Sequence, residues 1–343
     1  MDGRRAHGVR TAGHREETVQ QLTLGQAVNQ ALQEEMLRDP AVFIAGEGVG
    51  VSIHDNPCMP TAGLLKTFGP ERVKDTPVSE AAIAGLAVGA SVMGLRPVVE
   101  IMFNPFFTIA SDMIVNHAAK LRYLSGGKCT FPLVVRMKSG AGFSAGCQHS
   151  HNLEAWAAHV PGLKVVMPST PADAKGLLKS AIRDDNPVIF IEDMLQYFAP
   201  GPVPEGEYLT PLGKADVKRT GNDVTVVTWS KMLGVALKGA ALLAEKGIGV
   251  EVLDLRTLSP LDRESIVASV QKTGRLVVLH EATRTGGFAG EVCAVAAEEA
   301  FSSLKAPFRR VTAPDIPVPC SPPLERFYIP NETALVKAIL EIV

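Results

Sequence analysis

Two features of this 343-residue chain could do chemistry: an acid that opens an apolar helix, and a pair of histidines on a glycine-rich loop. The acid is Glu80, in KDTPVSEAAIAGLAVGASVMGLRP, residues 74–97. Small apolar residues follow it on every side of the helical wheel, so the spacing predicts a helix with no wet face, inside a large protein. The helix dipole favours an acid in the first turn by about 0.3–1 kcal/mol. Thr76 followed by Pro77 has the pattern of an N-cap with proline at the first helical position. An unpaired buried carboxylate costs more than the dipole returns, so the acid must be neutral or partnered. Capping and a chemical role both stay open for Glu80 on these grounds.

His149 and His151 lie in MKSGAGFSAGCQHSH, after the apolar run FPLVV. Extended backbone would point both rings to one side, but no nearby Cys or carboxylate completes a metal set. A glycine loop at the carboxyl end of a parallel strand suits a catalytic histidine, and it suits a loop-capping one equally. GFSAG at 142–146 matches the G-x-S-x-G pattern that would make Ser144 a nucleophile with His280 as its base. That motif passes straight from strand to helix, whereas KSGA and CQHSHN flank this one as a long loop. AVFIAGEGVG sets Gly46, Gly48 and Gly50 after a strand, as a dinucleotide fingerprint would. The third glycine comes one place early, however, and IHDNPCMP cannot open the phosphate-facing helix.

The elements that must position these residues alternate along the chain. LGQAVNQALQEEML, the Glu80 stretch, FFTIASDMIVNHAAKLRYL, NLEAWAAHV and PADAKGLLKSAIR have helical patterns; AVFIAGE, RPVVEIM, FPLVVRMK, LKVVMP and PVIFIED have strand patterns. Near-continuous apolar strands separated by helices imply a parallel sheet covered on both faces. A Pro- and Gly-rich stretch without periodicity then marks a boundary, and alternation resumes with VTVVTWS, VEVLDLRTL, LDRESIVASVQK and RLVVLHE. The expected organisation is a flexible tail over 1–20, an α/β domain over 21–200, a linker over 201–221 and a smaller α/β domain over 222–343.

Bulk properties narrow the function class. The chain exceeds the roughly 250–300 residues that one core supports, which favours two domains. It is 46% hydrophobic and 20% charged, as in a packed enzyme, and a net charge of −2 gives no electrostatic reason to expect nucleic acid or an acidic membrane as partner. Five scattered cysteines without a C-x-x-C pair suggest reduced thiols in a cytoplasm. No apolar run reaches the ~18 residues of a membrane span, and the polar N-terminus does not read as a secretory signal.

GEGV, DTPVSEAAIAGLAVGA, GLRPVVEIMF, LSGGK, CQHSH with PGLKVVMPSTPADAKGLLKSAIRDDNPVIF, LDLRTLSPLD, HEATRTGGFAGEV and FYIPN occur in this order. Together they resemble the beta subunit of the thiamine-diphosphate-dependent first component of 2-oxoacid dehydrogenase complexes, from about residue 22 to the C-terminus. Within that family the pyruvate and acetoin types are most similar. The resemblance implies two parallel-sheet α/β domains of transketolase type, a pyrimidine-binding domain and a transketolase C-terminal-like domain.

It also implies roles for individual residues. Glu80 would contact the aminopyrimidine ring nitrogen and shift the ring toward its imino tautomer, a task that needs a carboxyl whose pKa desolvation has raised. Glu47 would lie near the cofactor and Phe106 beside the pyrimidine, with Met102 close by, although ordinary core would explain both apolar side chains. His149 would orient the substrate or an incoming lipoyl group by hydrogen bonding. Leu133, Ala181, Asp184 and Asn186 match a segment whose backbone carbonyls hold a potassium ion, where the plain alternative is a helix end.

The family's alpha subunit binds the diphosphate and Mg2+ through a Gly-Asp-Gly…Asn motif, and this chain contains no Gly-Asp-Gly. Half an active site is therefore implied. The expected partners are an alpha subunit, as two alpha and two beta chains, and a lipoyl-bearing acyltransferase or carrier protein; the donor would be a 2-oxo acid or ketone. The loop departs from the family's usual one in Phe143, Cys147 and in His151, where glutamine is usual. This keeps open a transketolase-like transfer of a two-carbon ketol unit to a lipoyl or carrier-protein arm. A noncatalytic docking scaffold is the alternative of another class.

Overall fold

The computed structural model describes residues 18–50 and 56–343. Most of the expected tail, residues 1–17, and residues 51–55, which include the start of IHDNPCMP, lie outside the described residues. The strands of the first half are β1 (Val19–Thr23), β2 (Val42–Gly46), β3 (Val73–Asp75), β4 (Arg96–Phe103), β5 (Val134–Ser139), β6 (Lys164–Val166), β7 (Val188–Asp193) and β8 (Pro200–Pro204). Those of the second half are β9 (Asp216–Arg219), β10 (Val224–Thr228), β11 (Val250–Asp254), β12 (Thr257–Ser259), β13 (Leu276–Thr283) and β14 (Arg309–Ala313).

Two sheets carry the molecule. The larger has seven strands in the order β12-β6-β7-β5-β4-β2-β3, parallel except for β12, and the smaller has five in the order β14-β13-β10-β11-β9, parallel except for β9. The helices between them are α1 (Leu24–Arg38), α2 (Leu64–Phe68), α3 (Glu80–Val92), α4 (Phe107–Ser111), α5 (Leu121–Leu124), α6 (Cys147–Ser150), α7 (Glu154–Ala158), α8 (Pro171–Arg183), α9 (Met232–Ala244), α10 (Arg263–Thr273), α11 (Ala289–Glu299), α12 (Pro322–Tyr328) and α13 (Glu332–Leu340).

Strand alternation sorts the core into layers. Val42 and Ile44 of β2 face α1 and α8, whereas Phe43 and Ala45 face α3 and a core that continues into α10 and α11 of the second half. The outer face of the smaller sheet packs under α9 and α13. One continuous apolar layer thus joins the two sheets, and it fixes their carboxyl edges relative to each other.

The structure departs from the sequence expectations in several places. VEVLDLRTL is not one strand: the chain turns at Arg256, whose φ is 55°, and β12 leaves its own domain to pair antiparallel with β6. The interval expected to be a linker carries β8, which pairs with β1, and β9, which joins the smaller sheet. FFTIASDMIVNHAAKLRYL is interrupted by a wide π-type turn over Asp112–Ala118 between α4 and α5.

Nor are the inner strands purely apolar. Arg136 on β5 bonds Glu192 on β7 (Nη2–Oε2 2.7 Å) and Glu100 on β4 (Nη1–Oε2 2.9 Å), and Lys138 reaches the other Glu100 oxygen at 2.8 Å. Burial opposes the charge on Arg136, but the carboxylates of Glu192 and Glu100 hold its pKa above the ordinary value. Such a row is stable only when every member is paired; removing one partner of a buried pair costs about 3–5 kcal/mol.

Candidate active site

Parallel α/β sheets bind ligands outside the carboxyl ends of their strands; Glu47, Glu80, Met102, Phe106 and His149 follow such ends, whereas Leu133, Ala181, Asp184 and Asn186 lie at the opposite edge, where β5 and β7 begin. Gly46 ends β2 opposite Glu100 of β4 and Asp75 of β3, so Glu47 leaves the sheet at this edge, half-buried. Gly46 has to be glycine, because a Cβ would stand 2.7 Å from the carbonyl oxygen of Glu100. Met102 and Phe106 follow from β4 and the turn after it, both half-buried.

Glu80 is the first residue of α3, which packs on β4, α4 and the π-type turn. Its cap is Ser79, which makes no side-chain capping bond; the expected Thr76–Pro77 cap does not form, because the helix starts only at Glu80, and the Thr76 amide bonds the Gly46 carbonyl at 3.0 Å, which ties this segment to the sheet. The Glu80 side chain is only 8% exposed, and among the described residues its carboxylate has no hydrogen-bond or ion-pair partner. The expectation that this helix has no wet face fails for the isolated chain, where Leu86, Val92 and Met93 are 42%, 53% and 81% exposed. Its inner face covers the sheet, and among the described residues nothing covers its outer face.

The loop after β5 brings His149 to the same edge. Gly146, with φ 76°, turns the chain into the one-turn helix α6, and the His149 amide bonds the Gly146 carbonyl at 3.3 Å. The backbone is helical here and not extended, so the expected alternation of His149 and His151 does not apply. The imidazole of His149 packs edge-on against Phe106, centroids 5.4 Å apart, and against Phe103 at 4.9 Å, while Phe143 stacks on Phe103 at 6.3 Å. His151 instead lines a cleft of about 470 Å³ with Cys147 and Val318. Burial holds its pKa below the ordinary value, against the pull of Glu154. Among the described residues no group of three or more His, Cys, Asp or Glu side chains could hold a metal ion.

Among the described residues Ser144 has no histidine as a hydrogen-bond partner. It sits in the left-handed region at φ 61° and its hydroxyl bonds the Glu325 carboxylate at 3.3 Å. His280, the base that pattern called for, is wholly buried, stacked on Trp229 at 5.1 Å with its Nδ1 3.7 Å from Glu154.

Sequence reasoning missed four supports. Asn104, fully buried, accepts the Leu153 amide at 2.6 Å and so anchors the chain beyond His151 to the turn after β4. Asp193 at the end of β7, Lys231 before α9 and Glu281 on β13 form a buried cluster across the two halves, with Lys231 Nζ 3.0 Å from Asp193 and 2.5 Å from Glu281. Burial pushes the Glu281 carboxyl up to about 7; Lys231 opposes this and Asp193 adds to it. Only Asn104, in the turn-forming Asn-Pro pair, leaves a local signal.

The chain matches the transketolase pyrimidine-binding domain over residues 20–198 and the transketolase C-terminal domain over residues 213–335. It is 47% identical over 322 residues to the mitochondrial pyruvate dehydrogenase E1 component subunit beta-1 of Arabidopsis thaliana, covering 93% of this chain and 88% of that one. It is 45% identical over 331 residues to the acetoin:2,6-dichlorophenolindophenol oxidoreductase subunit beta of Bacillus subtilis, covering 94% and 97%. The chain belongs to the beta subunits of 2-oxoacid dehydrogenase first components. The 2-oxoisovalerate dehydrogenase subunit beta of Bacillus subtilis is a further relative, 44% identical over 318 residues, with 92% and 97% covered. A split-gene transketolase solved as an inactive beta4 tetramer shares the fold of this beta subunit, with a TM-score of 0.75 at 23% identity over 94% of this chain and 98% of that one. Membership of the family implies thiamine diphosphate as cofactor and a place as one subunit of a multi-component enzyme.

Proposed function

We propose that this beta subunit supplies the pyrimidine-side half of a thiamine-diphosphate site, in an enzyme that cleaves a 2-oxo acid or acetoin and reductively acylates a lipoyl carrier. The observation that carries this reading is Glu80, a residue only 8% exposed at the carboxyl edge of the sheet that has, among the described residues, no hydrogen-bond or ion-pair partner. A carboxylate without a protein partner is open to a ligand group, and a ring nitrogen of the aminopyrimidine is such a group. Phe106 and Met102 present apolar surface beside it, and Glu47 lies on the same edge.

Thiamine diphosphate, when bound, supplies the nucleophilic carbon and the electron sink. The chain's own contributions are proton handling at the Glu80 carboxyl, packing by Phe106 and Met102, and orientation of donor or lipoyl group by His149. The alpha subunit, paired as two alpha and two beta chains, would hold the diphosphate and Mg2+. Support comes from the missing Gly-Asp-Gly motif and from the uncovered outer face of α3. A lipoyl-bearing acyltransferase or carrier protein completes the reaction.

A potassium ion is proposed at the end of α8. Among the described residues the Leu133 carbonyl accepts the Val188 amide and the Ala181 carbonyl the Asp184 amide, outside helical bonding, which leaves each a second lone pair, and Ala181 lies in the last turn of α8, at the negative end of its dipole. The Arg96 guanidinium occupies the carbonyls of Ile182 and Asp184 at 3.0 and 3.2 Å, while Lys164 and Asn186 take the Asp184 carboxylate, so the ion must share this cluster with fixed cations. We propose a cytoplasmic location, which the five free cysteines support because a reducing compartment keeps thiols unpaired.

The experiment is calorimetry with thiamine diphosphate and Mg2+, on this chain alone and with its alpha partner. Weak binding alone and tight binding together are expected. Tight, magnesium-dependent binding by the lone chain would overturn the split site.

A further inference from the structure

We infer that Glu325, on the short helix α12 of the second domain, is a positioning residue for His149: its carboxylate sets the backbone of the loop that carries the imidazole to the aromatic cluster. The inference rests on the role proposed above for His149. Glu325 is only 3% exposed, and among the described residues no cation pairs with it. Its acceptor capacity goes to the loop instead. Oε1 accepts the Gly142 amide at 2.7 Å, and Oε2 accepts the Ser144 amide at 3.1 Å and the Ser144 hydroxyl at 3.3 Å. Converging backbone amides are an anion nest, and here the anion belongs to the protein itself.

Three observations make this a device for placing the loop. The segment from Gly140 to Gly146 has no regular structure to hold it, and Ser144 takes a left-handed conformation that side-chain-bearing residues rarely adopt unless the surroundings impose it. The flanking atoms are held from the same second domain. Glu281 accepts the Ala141 amide at 2.6 Å, Lys231 donates to the Ala141 carbonyl at 2.5 Å, and the Cys320 thiol donates to the Ser144 carbonyl at 3.0 Å. Finally, the path from Ser144 to His149 is short: Gly146 turns the chain and its carbonyl receives the His149 amide. Releasing Ser144 therefore frees the turn from which the imidazole is hung.

A carboxylate is required there, and an amide would not do. Glu325 faces donors at both oxygens, so Glu325→Gln keeps one acceptor and sets an NH2 against the donors at the other. Glu325→Ala removes both and leaves the two amides buried without partners.

The test uses the enzyme assembled with its alpha subunit, carrying E325Q, E325A, H149A or E325A with H149A. In both Glu325 variants the His149 Cε1–H resonance is expected to lose the ring-current shift conferred by Phe103 and Phe106, and the Ser144 amide to exchange faster. Acyl transfer to a lipoyl domain should slow about 10²-fold in E325A, the scale for a misplaced group, with thiamine diphosphate affinity unchanged. E325A should add nothing in the H149A background. An unmoved His149 resonance in E325Q and E325A overturns the inference, as does a slowing by E325A of equal size with and without His149. If H149A alone leaves every rate unaltered, the proposed role of His149 fails, and the resonance still decides whether Glu325 places the ring. Should E325A fail to fold, E325Q carries both readouts.

Discussion

The imidazole of His149 meets the ring of Phe106 edge-on, with centroids 5.4 Å apart and planes at 80°. A histidine on a loop after β5 and an aromatic ring on the turn after β4 are thereby fixed side by side at the carboxyl edge of the sheet. In the proposed site Phe106 would lie beside the pyrimidine, and the imidazole would then be one ring away from the cofactor.

His149→Ala should therefore leave cofactor binding intact and impair a later step. An oriented hydrogen bond or proton transfer contributes about 10²–10⁴-fold in rate. Two assays of the assembled enzyme separate the steps: decarboxylation with an artificial electron acceptor, and acyl transfer with a lipoyl domain. Rates that stay within a factor of about three in both, far below that range, would make the ring structural.

Glu80→Gln keeps the size of the side chain but cannot give and regain a proton. Assembly with the alpha subunit should persist, most activity should be lost, and proton–deuterium exchange at the thiazolium carbon should slow. Exchange at the unmutated rate would remove Glu80 from the activating role.

Gly140 is held at φ 93°, and a Cβ there would stand 2.0 Å from Asp193 Oδ2 and 3.0 Å from Lys231 Nζ. Gly140→Ala should lower stability by about 1–3 kcal/mol for the backbone conformation and about 1–3 kcal/mol more for the clash. Gly206, with φ 85° and open space where its Cβ would go, is the control that carries the first cost alone. Denaturant midpoints compare the two, and equal losses would show that the Asp193–Lys231 cluster tolerates the intrusion.

Asp254 at the end of β11 predicts a pH dependence. Burial, with the nearby charge of Asp173, pushes its carboxyl from 3.8 up to about 7, against Lys218, Ser169 and Arg256. The folded state then binds a proton that the unfolded state has released, so this group's contribution is full below pH 3.8 and is lost as the pH rises to about 7. Asp254→Asn keeps an acceptor for the Ser169 hydroxyl, now 2.8 Å from Oδ1. Melting temperatures of the two proteins should coincide near the acid end of that window and diverge in favour of the variant up to its top. A difference independent of pH would show that Asp254 does not titrate there.

How far each feature could be read from the sequence depends on how local its cause is. The alternation of α1 to α8 with parallel strands, the acid at the head of α3 and the glycine loop before His149 are patterns within a few residues, set by helical and strand periods. The motif series from GEGV to FYIPN was enough to indicate the family, and the absent Gly-Asp-Gly to suggest a second chain. Two readings were corrected by the tertiary structure: α3 starts after Ser79 and not at Thr76, whose amide bonds Gly46, and β12 pairs with β6 of the other half.

The charges of Glu100, Arg136 and Glu192 explain why the rest was illegible. Each sits in an otherwise apolar stretch of its strand, where a charge argues against burial, and only the register of three neighbouring strands turns them into a paired row. The cluster of Asp193, Lys231 and Glu281 and the bonds from Glu325 to Gly142 and Ser144 are of the same kind. The sequence by itself determined most of the elements and the family, and singled out Glu80 as the residue to test, because periodicity and motif spacing are written along the chain. Which loop is anchored, and by which distant carboxylate, was decided only when packing of the apolar layer between the two sheets brought their carboxyl edges together, since buried charge must find its partners in space wherever they lie in sequence.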